Sequence, residues 1–415
     1  MLAYTFYEND NRVRRYAETL AKRGDHVDVI ALRRQGQGRY EVLKQVNVYR
    51  IQQRVVNEKQ ALSYLIRLLR FFVNSAVFLA KQHLIRPYDL IHVHSVPDFE
   101  VFAALLPKLT RSKVILDIHD IVPEFYASKF NVSNTSLVFR LLILVERLAA
   151  AFSDHVIVSN HLWKERLITR SVPENKCSVV LNYPDPSIFH GRQAGKKGTS
   201  FIMIYPGTLN WHQGLDIAIR AFAAIREEIP QAEFHIYGEG AEKTSLINLA
   251  AKLGLQDKVL FKTFLPIEEI ADVMASAAIG VVPKRASSFG DEAFSTKILE
   301  FMALGIPVIV PATRVDRYYF NDAIVRFFEA GNVDSLAESM LLLSNDGTLR
   351  RQLVDRGLEF IRQNNWEVKR HEYISLIDRL ASIGAVHPVR RATKGITELK
   401  SDSRSNTGQC NTGGL

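Results

Sequence analysis

Two glutamates eight positions apart, Glu292 and Glu300, lie in the stretch IGVVPKRASSFGDEAFSTKILEFMALGIPVIV. On one continuous helix that spacing turns through about 800°, leaving the carboxylates roughly 80° apart, so they need not share a face. Ser295 or Thr296 makes a good N-cap, which puts Glu292 in a loop and Glu300 within the helix that follows. Leu304-Gly305 ends that helix and Ile306-Pro307 leads into a strand. The N–H groups at such a helix start are unpaired and carry partial positive charge, a setting that suits a diphosphate. Lys297 falls in the first turn, where a cation opposes the helix dipole. A bound anion would compensate it; a side chain pointing to solvent is the plainer alternative. Lys284 and Arg285, just ahead of the pair, are further cations within reach.

Histidines form the second group. His119 closes the apolar run in LDIHDIVPE, and His92 and His94 close IHVHS. Ends of strands in α/β sheets are where ligand groups collect, although a lone histidine is more often structural. Asp120 either joins His119 or caps a turn. There is no Asp-x-Asp triplet and no His/carboxylate spacing typical of metal ligands, so neither a metal nor a cofactor is expected.

These residues need a scaffold, and the sequence supplies an alternating one. Strand-like runs at Leu2–Phe6, Val27–Leu32, Leu90–Val93, Val114–Ile118 and His155–Val158 are separated by helical stretches such as Arg12–Arg23, which stops at Gly24. Short apolar strands between helices indicate a parallel sheet covered on both faces. The segment SIFHGRQAGKKGTS is rich in Gly and Lys and reads as a linker. The alternation then restarts at Phe201–Tyr205 and continues through Val308–Val310, giving a second doubly wound unit. The expected division is a domain over 1–186, a linker over 187–199, a domain over 200–365, and a helix over 366–385 crossing back to the first domain. The tail, 386–415, lacks apolar periodicity and is expected to be disordered.

The chain has 415 residues, 47% of them apolar and 23% charged, ordinary for a globular protein of two domains. Cys177 and Cys410 are its only cysteines, which argues for a reducing compartment and against a disulfide framework. No signal peptide is visible at Met1, so a cytoplasmic location is expected. The net charge is +9, with five cations against two acids in the tail. Such a surplus suits phosphorylated ligands or anionic membranes. No zinc-finger spacing, RNA-binding aromatic motif or long basic helix is present, so nucleic acid is not expected as a partner. In Leu62–Ile85, Arg67, Arg70, Asn74 and Lys81 form one polar stripe on an apolar helix. Two arginines inside the span make bilayer crossing costly. The helix either packs on the sheet or lies on the inner, anionic face of a membrane.

The ordered set of segments resembles the retaining glycosyltransferase family 4. EAFSTKILEFMALGIPV looks like its Glu-x7-Glu motif, YPGTLNWHQGLDIAIRAF like the loop opening its C-terminal domain, and FHIYGEG like its Gly-x-Gly turn. VIVSNHL, VVLNYPDPSIF and AIGVVPK follow in order and spacing, so that the resemblance runs from about Tyr4 to Ile383. It implies a GT-B fold, two Rossmann-like domains facing a cleft, and transfer of a sugar from a nucleotide diphosphate sugar to a glycan or lipid-linked acceptor. Carried over by position, Glu300 would hold the ribose hydroxyls, and Glu292 would face the anomeric centre. The backbone of Phe294, Ser295 and Thr296 would bind sugar or diphosphate, and His119 would reach the donor sugar across the cleft. Loop 207–214, with Gly207, Thr208 and Gln213, departs from the family, which often places an Arg and a Lys there. Lys297, with Lys284 or Arg285, is then the expected replacement. Near the N-terminus Glu8-Asn9-Asp10-Asn11 replaces a Gly-rich turn. Asn9 and Asp10, with Asp120 and His94, are candidates on the acceptor side, and Asn11 is the expected cap of the first helix. Competing roles are a non-catalytic scaffold subunit and a sugar-nucleotide epimerase on the same fold.

Overall fold

A computed structural model describes residues 1–54, 61–130, 132–191, 200–287 and 289–384. Residues 192–199 of the expected linker and the whole expected tail lie outside the described residues.

The first half contributes strands β1 (Leu2–Ala3), β2 (Asp28–Arg33), β3 (Tyr40–Leu43), β4 (Val46–Gln53), β5 (Leu90–His94), β6 (Lys113–Ile118), β7 (His155–Val158) and β8 (Cys177–Val179). They form one sheet in the order β3-β4-β2-β1-β5-β6-β7-β8. Every pairing is parallel except the β3/β4 hairpin. Helices α1 (Asn11–Arg23), α2 (Ala61–Ile85), α3 (Leu105–Leu109), α4 (Val122–Phe130), α5 (Leu137–Phe152) and α6 (His161–Arg170) connect them. The β3/β4 hairpin and β8 were not foreseen. The hairpin turns on Lys44 and Gln45, both at positive φ (46° and 68°), where a turn of this kind ordinarily carries Gly, Asn or Asp.

In the second half β9 (Phe201–Pro206), β10 (Ala232–Tyr237), β11 (Val259–Lys262), β12 (Ile279–Val281), β13 (Val308–Pro311) and β14 (Arg326–Phe328) form an all-parallel sheet ordered β11-β10-β9-β12-β13-β14. Its helices are α7 (Leu215–Ile225), α8 (Lys243–Lys252), α9 (Ile267–Ala275), α10 (Thr296–Ala303), α11 (Arg314–Tyr319), α12 (Val333–Asn345) and α13 (Gly347–Gln363). The strand order reverses beside β9, so the crevice at its carboxyl end is a topological switch point.

Helix α14 (Trp366–Gly384) lies against the first sheet. Trp366 Nε1 donates to Thr19 Oγ1 at 2.8 Å, and the Tyr373 ring stacks on Tyr16 with centroids 4.1 Å apart. These aromatic contacts, deep in the core, tie the end of the described chain to α1.

Candidate active site

The two glutamates occupy different settings. Ser295 stands at the N-cap of α10 but its side chain makes no capping bond. The backbone N–H groups of Phe294, Ser295, Thr296 and Lys297 meet no protein acceptor among the described residues. The helix itself is held down by Ile298, Leu299, Phe301 and Met302, all buried, so those free donors have a fixed direction. Glu300 stands one turn further on and lines the cleft. Burial pushes its carboxyl above the ordinary value, against the pull of Lys297.

Lys297 also lines the cleft. Its Nζ lies 5.4 Å from the centroid of the Tyr205 ring. No carboxylate comes within salt-bridge distance of it among the described residues. Burial lowers its ammonium from the ordinary lysine range, opposed by nearby Glu300 and reinforced by Lys284. The side chain passes directly over Gly207: a Cβ built there would meet Lys297 Cε at 2.5 Å. Gly207, at φ +150°, in turn presses its carbonyl against Gly238, where a Cβ would sit 1.8 Å from that oxygen. Two glycines thus let the 207 loop, the 238 turn and the lysine occupy one layer.

The cleft comprises two adjoining cavities, of about 870 and 250 Å³. The larger is lined by Gly207, Thr208, Lys297 and Glu300 from the second half and by Asn9 and Arg14 from the first. The smaller takes Thr296 and Glu300 from one side and His119, Asp10, Arg12 and Arg15 from the other. Arg14 spans the halves with an ion pair to Glu268 at 3.1 Å.

His119 belongs to a buried network that the sequence did not reveal. His94 and Asp117 are register partners on β5 and β6, and Asp117 is fully buried. Arg12 grips both Asp117 oxygens, at 2.6 and 2.7 Å. His94 Nδ1 stands 3.1 Å from Asp117 Oδ2, and His119 Nε2 stands 3.3 Å from the same atom. Burial alone would raise the Asp117 carboxyl, but Arg12 and His119 outweigh it and hold it well below the usual range. Burial and the neighbouring His92 push His94 well below its ordinary value, keeping it neutral. Asp117 therefore orients His119, and His94 is a buried support rather than an acceptor contact. The strand run LDIHDI offered one signal, a carboxylate in an otherwise apolar strand.

This network also brings together a His/carboxylate grouping that spacing along the chain does not show. Ligand atoms of His92, His94 and Asp117 lie within 4.8 Å of one another. Adjacent strands, not spacing along the chain, bring them together. The two Asp117 oxygens already hold a guanidinium, which neutralises the carboxylate the group would offer an ion.

Four further expectations are corrected. Lys284 is buried, donates to the Ala293 carbonyl at 2.7 Å and pairs with Asp316 at 3.0 Å, so its charge serves the fold. Arg285 forks onto Asp216 at 2.6 and 2.7 Å and covers Trp211. Gln213 accepts from the Tyr205 hydroxyl at 3.0 Å and lines neither cavity. Asp10, not Asn11, caps α1: its Oδ1 accepts from the N–H groups of Arg12 and Val13 at 3.2 and 3.1 Å. Asn9 and Asp10 do line the smaller cavity; Asp120 lines neither.

Glu292 sits in the loop ahead of α10, buried, outside both cavities. Arg166 of α6 holds it with bonds of 2.7 and 3.0 Å, and Arg314 of α11 adds one of 2.9 Å. Asn160 donates to its carbonyl at 3.0 Å. Phe294 packs edge-on against Tyr319, with centroids 5.0 Å apart, so only its backbone faces the helix start.

Comparison with known proteins places this arrangement. The family model for glycosyl transferases group 1 matches residues 188–360, and that for the glycosyl transferase 4-like domain matches 10–183. An uncharacterized glycosyltransferase of Methanocaldococcus jannaschii is 28% identical over 306 residues, covering 71% of this chain and 74% of that one. A putative colanic acid biosynthesis glycosyltransferase of Escherichia coli is 27% identical over 157 residues, 38% of this chain and 39% of that one. The chain thus matches well under half of the length of that relative. The crystal structure of Anabaena HepE in complex with UDP-glucose superposes with a TM-score of 0.69 at 16% identity, over 91% of this chain and 98% of that one. At that identity the likeness concerns the fold, two facing Rossmann-like α/β halves.

Proposed function

We propose that this chain, a GT-B glycosyltransferase of the family 4 type, is a retaining enzyme that uses a nucleotide diphosphate sugar. The observation carrying the reading is the convergence of Lys297, the free N–H groups at the start of α10, and Glu300 on one cleft that His119 enters from the opposite half. Glu300 accepts hydrogen bonds from the ribose hydroxyls. The α10 amides and Lys297 hold the diphosphate, which answers the loss of the usual Arg and Lys from the 207–214 loop. In the reaction the bond from the anomeric carbon to the phosphate oxygen breaks. An acceptor hydroxyl forms the new bond on the same face, and its proton passes to the departing phosphate. Glu292 stabilises positive charge at the anomeric centre once the arginines that hold it yield. The reading uses no metal and no further cofactor, because the amides and Lys297 supply the charge that a divalent ion would.

The relative in colanic acid biosynthesis supports a glycan or lipid-linked acceptor in polysaccharide assembly. A non-catalytic scaffold is the second reading. It is favoured by one observation, the engagement of Glu292 by two arginines outside the cavities. Incubation with UDP-, GDP- and ADP-sugars decides between them. Turnover, with the donor's anomeric configuration preserved in the product by NMR, is expected. No binding of any nucleotide sugar would leave the scaffold reading, and an inverted product would remove retention.

A further inference from the structure

In the first sheet, α2 joins β4 to β5, α3 joins β5 to β6, and α5 joins β6 to β7. Each crossover steps the same way along the strand order, so right-handed connections put all three helices on one face of the sheet. Contacts bear this out: Phe72 of α2 meets Phe99, and Phe152 of α5 meets Phe102, both on the turn over 98–104 between them.

These helices are apolar on their outer sides as well as their inner ones. On α2, Leu68, Phe71 and Leu79 are buried, while Leu65, Leu69, Val73 and Val77 form an exposed stripe at intervals of four. On α5, Phe139, Ala149 and Ala150 face inward and Leu137, Leu141, Leu144 and Leu148 face solvent. Leu105 and Leu109 of α3 are exposed as well. Exposed apolar side chains on three neighbouring helices of one face mark an interaction surface.

Its charge is of one sign. No Asp or Glu occurs from Ala61 to Tyr88 or from Leu105 to Lys113, and the one acid of α5, Glu146, is buried on Arg170. Arg70, Lys81, Arg111 and Arg140 are exposed on these segments, with no carboxylate partner among the described residues. We infer that the outer faces of α2, α3 and α5 form one surface that docks on an anionic lipid bilayer. Leucine and valine enter the acyl boundary while the cations meet acidic headgroups. A two-fold pairing of copies through this face would set its cations against each other. The inference is independent of the transferase reading, since vesicle binding requires no donor.

The test is co-sedimentation of the full chain with vesicles of phosphatidylcholine alone or mixed with phosphatidylglycerol, at low and high salt. Binding is expected to the mixed vesicles at low salt. The triple variant Arg70→Glu, Lys81→Glu, Arg140→Glu lowers it by more than about two orders of magnitude, since each lost cation near an acidic surface costs roughly fivefold and each new carboxylate adds repulsion. Leu69→Ser with Leu141→Ser weakens it also at low salt, whereas Arg70→Lys with Arg140→Lys retains it and shows that the fold tolerates change there. No enrichment on acidic vesicles overturns the inference. So does equal binding of wild type and the charge-reversed variant, or loss of self-association by light scattering in place of loss of vesicle binding.

Discussion

A methyl group on Gly207 would lie 2.5 Å from Cε of Lys297, so the loop and the lysine exclude any larger residue between them. Gly207 also sits at φ +150°, where side chains are strained. Gly207→Ala must therefore displace the lysine from above Tyr205 or shift the loop. The expected outcome is weaker nucleotide diphosphate binding, read by calorimetry. Lys297→Met, which keeps the stem and removes the charge, is expected to lower kcat/KM by about 10²–10³. If Lys297→Met turns over the donor at the wild-type rate, the diphosphate is held elsewhere.

Glu292 joins α6 and α11 through Arg166 and Arg314, and the two roles open to it separate by measurement. A tie between the halves predicts that Glu292→Gln lowers thermal stability, by about 1–3 kcal/mol given that both arginines are partly exposed. A role at the anomeric centre predicts a lower kcat with donor affinity nearly unchanged. Both are expected for Glu292→Gln, while Arg314→Ala is expected to lower stability with a smaller effect on kcat. Equal losses of kcat in the two variants would make Glu292 a purely structural residue.

Asp117 offers a sharper test of positioning. Its carboxylate is held well below the usual range, so it contributes stability above the ordinary aspartate value that is lost as pH falls through the folded one. Asp117→Asn strands the buried Arg12 guanidinium, at a cost of about 3–5 kcal/mol in denaturant unfolding. It also frees His119, so KM for the donor is expected to rise in whatever fraction remains folded. Arg12→Met combined with Asp117→Asn should recover stability without recovering KM. A double variant as weak as the single one would show that the pair is not coupled.

Much of this architecture was legible because it rests on periodicity. Most of the second half's strands and helices were foreseen to within a few residues, since long apolar alternation and Gly punctuation mark them, but the short α11 and β14 were not. The β3/β4 hairpin was not, because Lys44 and Gln45 take positive φ without the residues that advertise such a turn. Glu300 was placed at the site by the family resemblance, whereas the helix start alone left Lys297 open between a bound anion and solvent. Engagement by partners distant in sequence could not be seen: Lys284 with Asp316, Arg285 with Asp216, and Glu292 with Arg166. Asp117 and His94 meet only because β5 and β6 are neighbours in register. Pairing across a sheet leaves no local trace in the chain.

Glu100 yields a prediction about pH that does not depend on catalysis. It is completely buried beneath α2 and α5, and neither carboxylate oxygen has a hydrogen-bond partner among the described residues. Burial pushes its carboxyl up to about 8. A glutamate raised in the folded state binds its proton more tightly there than in the unfolded chain. Its stabilising proton is thus fully held below the unfolded value near 4.3, and stability falls as pH rises towards about 8. A shift of this size corresponds to roughly 5 kcal/mol across that window. Glu100→Gln keeps the shape and removes the titration, so its stability should vary less between pH 5 and pH 8, with the variant gaining on wild type at the alkaline end. Urea unfolding at a series of pH values measures this directly. Parallel curves for wild type and variant would mean that Glu100 keeps an ordinary acidity, and that water or a shift of the 98–104 turn reaches its carboxylate.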